Sequence, residues 1–258
     1  MLILLSNDDG VDSEGIQALR EALAATDEVW VVAPEAERTC ISHAVTLHKP
    51  LRIKDLGERV FSTNGTPADA VLLALRVVMP RKPDLLISGI NKGPNMGQDV
   101  SYSGTVAAAK EGAFTGITSL AVSLNGRDNF LFGHAARSVL DIVEKVRTRP
   151  FPLSTLLNVN IPNVPYEEIK GIMVTSLGKR IYNGNIVERT DPRGGTYYWI
   201  GGDGEEFEAI EGTDLCAVDQ GYLSLTPLHL DFTSYLSLDK FKTIFSSGGH
   251  HEEHTVDP

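Results

Sequence analysis

The chain has 258 residues, 42% of them hydrophobic and 22% charged, which is enough for one sizeable domain with a full core. A net charge of −11 excludes broad, sequence-independent binding to nucleic acid, which needs a cationic surface against the phosphates. The two cysteines, Cys40 and Cys216, exclude a disulfide framework and read as reduced thiols of a cytoplasmic protein, while no run approaches the ~18 apolar residues of a membrane span.

Leu2–Ser6 reads as a buried strand. Its five residues with Met1 are too short for a signal peptide and lack a basic flank. Asp12 or Ser13 caps a helix that sets Ile16, Leu19 and Leu23 on one face. "EVWVVAP" is a second buried strand, stopped by Pro34. "NGTPADAVLLALRVVM" is a helix with explicit start signals: Thr66 is the cap, Pro67 takes the first helical position, and Asp69 closes a capping-box-like pattern. "PDLLISGIN" is a strand and "SGTVAAAKEGAF" opens a helix. "SLAVSL" is a strand, "GHAARSVLDIVEKV" a helix and "LLNVNIP" a strand. Alternation of this kind, with continuous apolar strands, predicts a parallel sheet covered by helices on both faces.

Beyond Pro162 glycine and aromatic residues rise, in "YNGNIVERTDPRGGTYYWIGGDGEEF". "YNGN" reads as a hairpin turn and "TYYWIGG" as a strand, so long hairpin excursions replace further βαβ units. "CAVDQGYLSLTPLHLDFTS" reads as a return to strand-like alternation. "SSGGHHEEHTVDP" reads as a frayed polar tail.

Ligands of open α/β sheets bind at the carboxyl ends of the strands. Four polar clusters fall there: Asp8-Asp9-Gly10, "ERTCISH", "GINKGPNMGQDVSYSGT" and Asn160. Neighbours on a straight strand point to opposite faces, so Asp8 and Asp9 reach one point only if the chain turns, which Gly10 permits. Two adjacent ionised carboxylates repel unless a cation lies between them. With a hydroxyl (Thr39 or Ser42) and a carboxamide (Asn91 or Asn95) they form an all-oxygen set, suited to Mg²⁺, Mn²⁺ or Ca²⁺ rather than zinc. Ser103-Gly104-Thr105 stands at a helix start, a natural phosphate site, although Ser103 as a plain N-cap explains the same residues. A cation site beside an anion cradle points to phosphoryl chemistry. His43 reads either as a general acid or as a packed loop residue. Lys92 and Lys110 attract phosphate or merely solubilise the surface. Arg193 reads as an anion clamp or a structural ion pair. Tyr197, Tyr198 and Trp199 stack on a base or pack across a hairpin.

The segments "ILLSNDDG", "VVAPEAER", "NGTPADAV", "LLISGINKGPNMGQDVSYSGTVAAAKEGA" and "TPLHLDFT" resemble the SurE family, the survival-protein-E metal-dependent phosphatases acting on nucleoside 5′- and 3′-monophosphates. The likeness runs from Met1 to about Ser234. It implies a three-layer αβα Rossmann-like parallel sheet with C-terminal β-hairpin and arm extensions used in oligomerisation. One domain is expected over 1–245, with the hairpin and arms in 181–245 and a disordered tail at 246–258. The resemblance also implies one divalent cation per subunit, Mg²⁺ or Mn²⁺, with ligands Asp8, Asp9, Thr39 and Asn91. The family usually has serine at the third of these positions; threonine keeps the hydroxyl and adds a methyl. Asp8, Asp9 and Asn95 are the implied catalytic residues. Ser42, His43, Asn95, Ser103, Gly104 and Thr105 are the implied phosphate and substrate residues.

The implied activity is that of a 5′-nucleotidase, a phosphoric monoester hydrolase that releases nucleoside and phosphate by attack of a metal-activated water. Homodimers or homotetramers are implied, with neither nucleic acid nor membrane as partner. The alternative is a non-enzymatic, Mg-dependent nucleotide-binding or receiver-like signalling protein. A receiver needs an aspartate at the end of a central strand, where this chain has Asn91. A haloacid-dehalogenase-type enzyme needs an Asp-x-Asp, which "NDDG" lacks.

Overall fold

The apolar run Leu2–Ser6 is strand β1, and all five of its residues are buried, as a strand covered on both faces requires. The computed structural model describes residues 1–149, 151–152, 154–181, 186–200 and 206–246. Its further strands are β2 (Glu28–Pro34), β3 (Ile53–Gly57), β4 (Val60–Thr63), β5 (Leu85–Lys92) and β6 (Thr118–Asn125). They continue with β7 (Leu156–Pro162), β8 (Ile172–Val174), β9 (Ile186–Thr190), β10 (Thr196–Ile200) and β11 (Leu223–Leu228). Among the described residues, nine of them form one sheet in the order β3-β4-β2-β1-β5-β6-β7-β11-β8. From β4 to β7 the pairs are parallel. β3 joins β4 antiparallel and β11 joins β7 antiparallel, so both margins depart from the parallel rule. β9 and β10 form a separate antiparallel ribbon.

The helices are α1 (Glu14–Ala24), α2 (Pro67–Leu73), α3 (Gly104–Phe114), α4 (Phe132–Thr148), α5 (Asp214–Asp219) and α6 (Tyr235–Ser246). Ile16, Leu19 and Leu23 of α1 join Val139, Ile142 and Val143 of α4 against Ile3, Leu5 and Ile87 of the sheet. α2 and α3 pack together on the other face, where α3 comes close to Leu86. The result is three layers. At the start of α2 the Thr66 hydroxyl accepts from Asp69 N and the Asp69 carboxylate accepts from Thr66 N, a complete capping box with Pro67 inside it. The apolar pattern then runs on past α2 as a π turn over Ala74–Val78 and ends at extended Met79, the residue before a proline being biased out of helix.

One expectation is corrected. The stretch from Cys216, read as strand-like, is helical as α5 up to Asp219, and the strand begins only at Leu223. Leu215, Ala217 and Val218 are all buried, and a short apolar run of this kind carries no period that separates helix from strand. The chain divides into a unit Met1–Leu228, which contains the sheet, and a second unit from His229, which contains α6. The expected "YNGN" turn falls on 182–185, outside the described residues, and so does the expected tail apart from Ser246.

Candidate active site

β1 lies with β2 on one side and β5 on the other, the kind of switch point at which an open α/β sheet leaves a crevice beyond its strand ends. A cleft of about 930 Å³ is lined there by Asp8, Asp9, Thr39, Asn91, Asn95 and Ser103. Further lining comes from Glu37, Lys92, Tyr102, Arg127, Phe130 and, from the β9–β10 ribbon, Ile200.

The aspartate pair is aimed by its neighbours. Asn7 is fully buried; its Nδ2 donates to Gly10 O at 2.8 Å and to Ser13 Oγ at 2.7 Å, and its Oδ1 accepts from Gly10 N at 3.2 Å. Gly10 adopts φ +101°, so the chain turns sharply after β1 and both carboxylates line one cleft. Asp8 is 4% exposed and its Oδ1 accepts from Thr105 Oγ1 at 2.6 Å. Burial, reinforced by the neighbouring Asp9 charge, pushes the Asp8 carboxyl up to about 6 despite that hydrogen bond. Asp9 is also raised, chiefly by burial and further by Glu37, while Lys92 N donates to its Oδ2 at 3.0 Å and opposes the shift.

The start of α3 closes on Asp8. Ser103 Oγ accepts from Val106 N at 3.1 Å and so caps the helix. A Cβ added at Gly104 would stand 2.8 Å from Asp8 Cβ and 2.9 Å from its Oδ2, so only glycine lets the helix start come this near. The first-turn N–H groups of Gly104 and Thr105 have no intrahelical acceptor and complement negative charge.

After β5, Asn91 Nδ2 donates to Gly93 O at 2.9 Å, leaving its Oδ1 for a cation. Asn95 is fixed on three sides. Its N donates to Asn160 Oδ1 at 2.8 Å, and its O accepts from Asn158 Nδ2 at 2.8 Å and Asn160 Nδ2 at 3.0 Å. Its Nδ2 donates to Ser123 Oγ at 2.8 Å, so Oδ1 is the atom it has to offer. Asn158 and Asn160 are two apart on β7 and therefore share a face. A further strap comes from Asp214, fully buried, whose carboxylate accepts from Gly97 N (2.9 Å), Gly178 N (2.7 Å) and Leu215 N (2.8 Å). Beside it Arg180 pairs with Asp99 at 2.7 Å.

In the loop after β2 the Thr39 hydroxyl donates to Glu37 and keeps its lone pairs for a cation. The structure thus brings Asp8, Asp9, Thr39, Asn91, Asn95 and Ser103 to one cleft. Ser42, His43, Gly104 and Thr105 are not among the residues that line it. Ser42 Oγ donates to Ser101 O at 2.8 Å. His43 Nε2 lies 2.6 Å from Glu111 Oε1 and its ring stacks on Phe114, which anchors the loop to α3. Thr105 is wholly buried and serves Asp8. Of the ribbon residues, Arg193 is held through its N by Asp191 Oδ1 at 2.7 Å, and Tyr197, Tyr198 and Trp199 pair with Arg189, Glu188 and Val187 across it. Asn7, Glu37, Tyr102, Arg127, Phe130 and Asn158 were not singled out in the sequence. The alternating asparagines of an otherwise apolar "LLNVNIP" were the available signal for the last.

The donor set fits a hard divalent cation: two carboxylates, a hydroxyl and amide oxygens. Among the described residues no three His, Cys, Asp or Glu side chains cluster for a metal, so the neutral oxygens must complete the shell.

A family model described as "Survival protein SurE" matches residues 3–184. A 5′-nucleotidase SurE of Geobacter metallireducens is 50% identical over 246 residues, covering 94% of this chain and 97% of the relative. Another, of Aquifex aeolicus, is 48% identical over 246 residues, covering 95% and 98%. A crystal structure of the Sure protein from Aquifex aeolicus matches with a TM-score of 0.87 and 47% identity, covering 95% of this chain and all of that one (100%).

Proposed function

The chain belongs to the survival protein SurE family, and from that premise we propose that it is a metal-dependent 5′-nucleotidase hydrolysing nucleoside 5′- and 3′-monophosphates. The observation that carries the reading is the buried Asp8–Asp9 pair pressed against the start of α3 at the sheet's switch point. Family membership implies dependence on a divalent cation; one Mg²⁺ or Mn²⁺ per subunit, held by Asp8, Asp9, Thr39 and Asn91, suits the donors. When bound, such a cation supplies Lewis-acid polarisation of a phosphoryl oxygen and an acidified water.

The chain's own residues do the rest. Thr105 and Gly104 fix the Asp8 carboxylate. The N–H groups that open α3, with the Lys92 ammonium, meet the charge of the phosphate. Asn95, its other polar atoms engaged, offers Oδ1 as an acceptor in the cleft.

A homodimer or homotetramer assembled through the β9–β10 ribbon and α6 has support in exposed apolar side chains. Trp199 is 64% and Ile200 92% exposed, and Leu236 and Phe245 of α6 are likewise open. A cytoplasmic setting is supported by the free thiols Cys40 and Cys216. No helix among the described residues is long and apolar enough to cross a membrane. The receiver-like alternative is not favoured, because β5 ends in Asn91 and Lys92 with no phosphate-accepting aspartate. Release of inorganic phosphate from AMP with Mn²⁺, abolished by chelator and restored by added metal, tests the reading; turnover untouched by chelator overturns it.

A further inference from the structure

The cleft has an aromatic surface that the phosphate chemistry does not use. Tyr102 lines it and is 62% exposed. Among the described residues its ring has no aromatic or cationic neighbour and its hydroxyl has no hydrogen bond. Its backbone, by contrast, is pinned on both sides: N donates to Asp99 O at 2.9 Å and O accepts from Ser42 N at 2.9 Å. The ring therefore projects from a fixed base with only two side-chain torsions to order, a low entropic cost for a contact surface.

Its place along the chain matters. Ser103 follows, and Gly104 after it abuts Asp8. Tyr102 and Ser103 line the same cleft as Asp8 and Asp9, so a nucleotide whose phosphate lies against the start of α3 has the ring within the same cavity. Among the described residues the other aromatic ring lining the cleft is Phe130, which already stacks on Phe132 at 5.5 Å and has Lys92 Nζ 5.6 Å from its centroid; it is a wall rather than an open platform.

We propose that Tyr102 is the nucleobase platform of this enzyme, the ring on which the base of a nucleoside monophosphate stacks while its phosphate lies against the start of α3. This rests on the nucleotidase reading. Every base has a π face, so a stacking platform without edge donors holds purines and pyrimidines alike, and the phenol oxygen adds little.

The test compares AMP with ribose 5-phosphate, the same phosphoester without a base, in wild type, Tyr102→Ala and Tyr102→Phe. The ratio of kcat/KM for AMP over ribose 5-phosphate falls roughly 5- to 100-fold in Tyr102→Ala, the range that loss of one base stack gives. The fall lies mainly in the KM for AMP, and Tyr102→Phe retains the wild-type ratio. An unchanged ratio in Tyr102→Ala overturns the proposal, as does a wild-type enzyme that treats the two substrates alike. If wild type releases phosphate from neither substrate with Mn²⁺ or Mg²⁺, it is the nucleotidase reading that fails. Calorimetric binding of AMP against ribose 5-phosphate then decides the platform by the same ratio.

Discussion

Changing Asp8 to Asn should destroy activity and, in the absence of divalent cation, make the protein more stable. The folded Asp8 carboxyl titrates at about 6 against an ordinary 3.8. At pH 8 the metal-free fold therefore holds a buried charge that the unfolded chain would rather solvate. The difference is about 2 units, or ~3 kcal/mol at 1.36 kcal/mol per unit. The sign follows from proton counting. Between pH 3.8 and about 6 the folded state binds more protons than the unfolded one, so this group's support is complete below the window and is lost as pH rises through it. Asparagine keeps an oxygen to accept from Thr105 Oγ1 and carries no charge. Thermal unfolding in chelator at pH 8 should then show Asp8→Asn melting higher by up to ~6–12 °C, at ~2–4 °C per kcal/mol for a chain this long. At pH 4, where the wild-type carboxyl is protonated as well, the gap should close. A variant equally displaced from wild type at pH 4 and pH 8, or one less stable at pH 8, would refute the account of Asp8 as a charge held against its own solvation.

Four other outcomes follow from the same geometry. Thr105→Val removes a charge-assisted hydrogen bond of about 1.5–3 kcal/mol while keeping the shape, so Mn²⁺ titrated by calorimetry should bind at least tenfold more weakly; unchanged affinity would show that Thr105 does not hold Asp8 for the cation. Gly104→Ala forces a methyl to within 2.8 Å of Asp8 Cβ and should abolish Mn²⁺ binding with a normal circular dichroism spectrum, a result contradicted by wild-type affinity. Thr39→Ser should keep Mn²⁺ half-saturation and Thr39→Ala should raise it; equal values for wild type and Thr39→Ala would mean Thr39 is not a ligand. Light scattering at micromolar concentration should give a dimer or tetramer, and a monomer alone would sink the assembly reading.

The central sheet was legible because its strands are continuous apolar runs punctuated by strong helix starts, as at Thr66-Pro67. The margins were not. The β3–β4 hairpin turns through Glu58 (φ 51°) and Arg59 (φ 64°), a left-handed pair that usually advertises itself as Asn-Gly and here uses ordinary charged residues. α5 is too short for its period to show. At the site, the convergence of Asp8, Asp9, Asn91 and Asn95 on one cleft was foreseeable because polar groups at strand ends are conspicuous. What sequence could not tell is which way a side chain faces. Ser42 and His43 share a loop with Thr39, yet they turn to Ser101 and Glu111, because loop direction is decided by tertiary partners far along the chain. The Asn95 cradle is the same case: its partners lie 63 and 65 residues away.

The Asp214 carboxylate sets a condition on synthesis. It reaches back 117 residues to the Gly97 amide, so a chain emerging from the ribosome can complete β1 to β7 and both helical layers before the loop that carries Asn95 has its last tether. At ~5–20 residues per second that interval lasts seconds. During it the aspartate pair already exists, with a half-fastened loop beside it. A nascent chain halted shortly before residue 214 should therefore resist protease across its sheet and still be cut near Gly97.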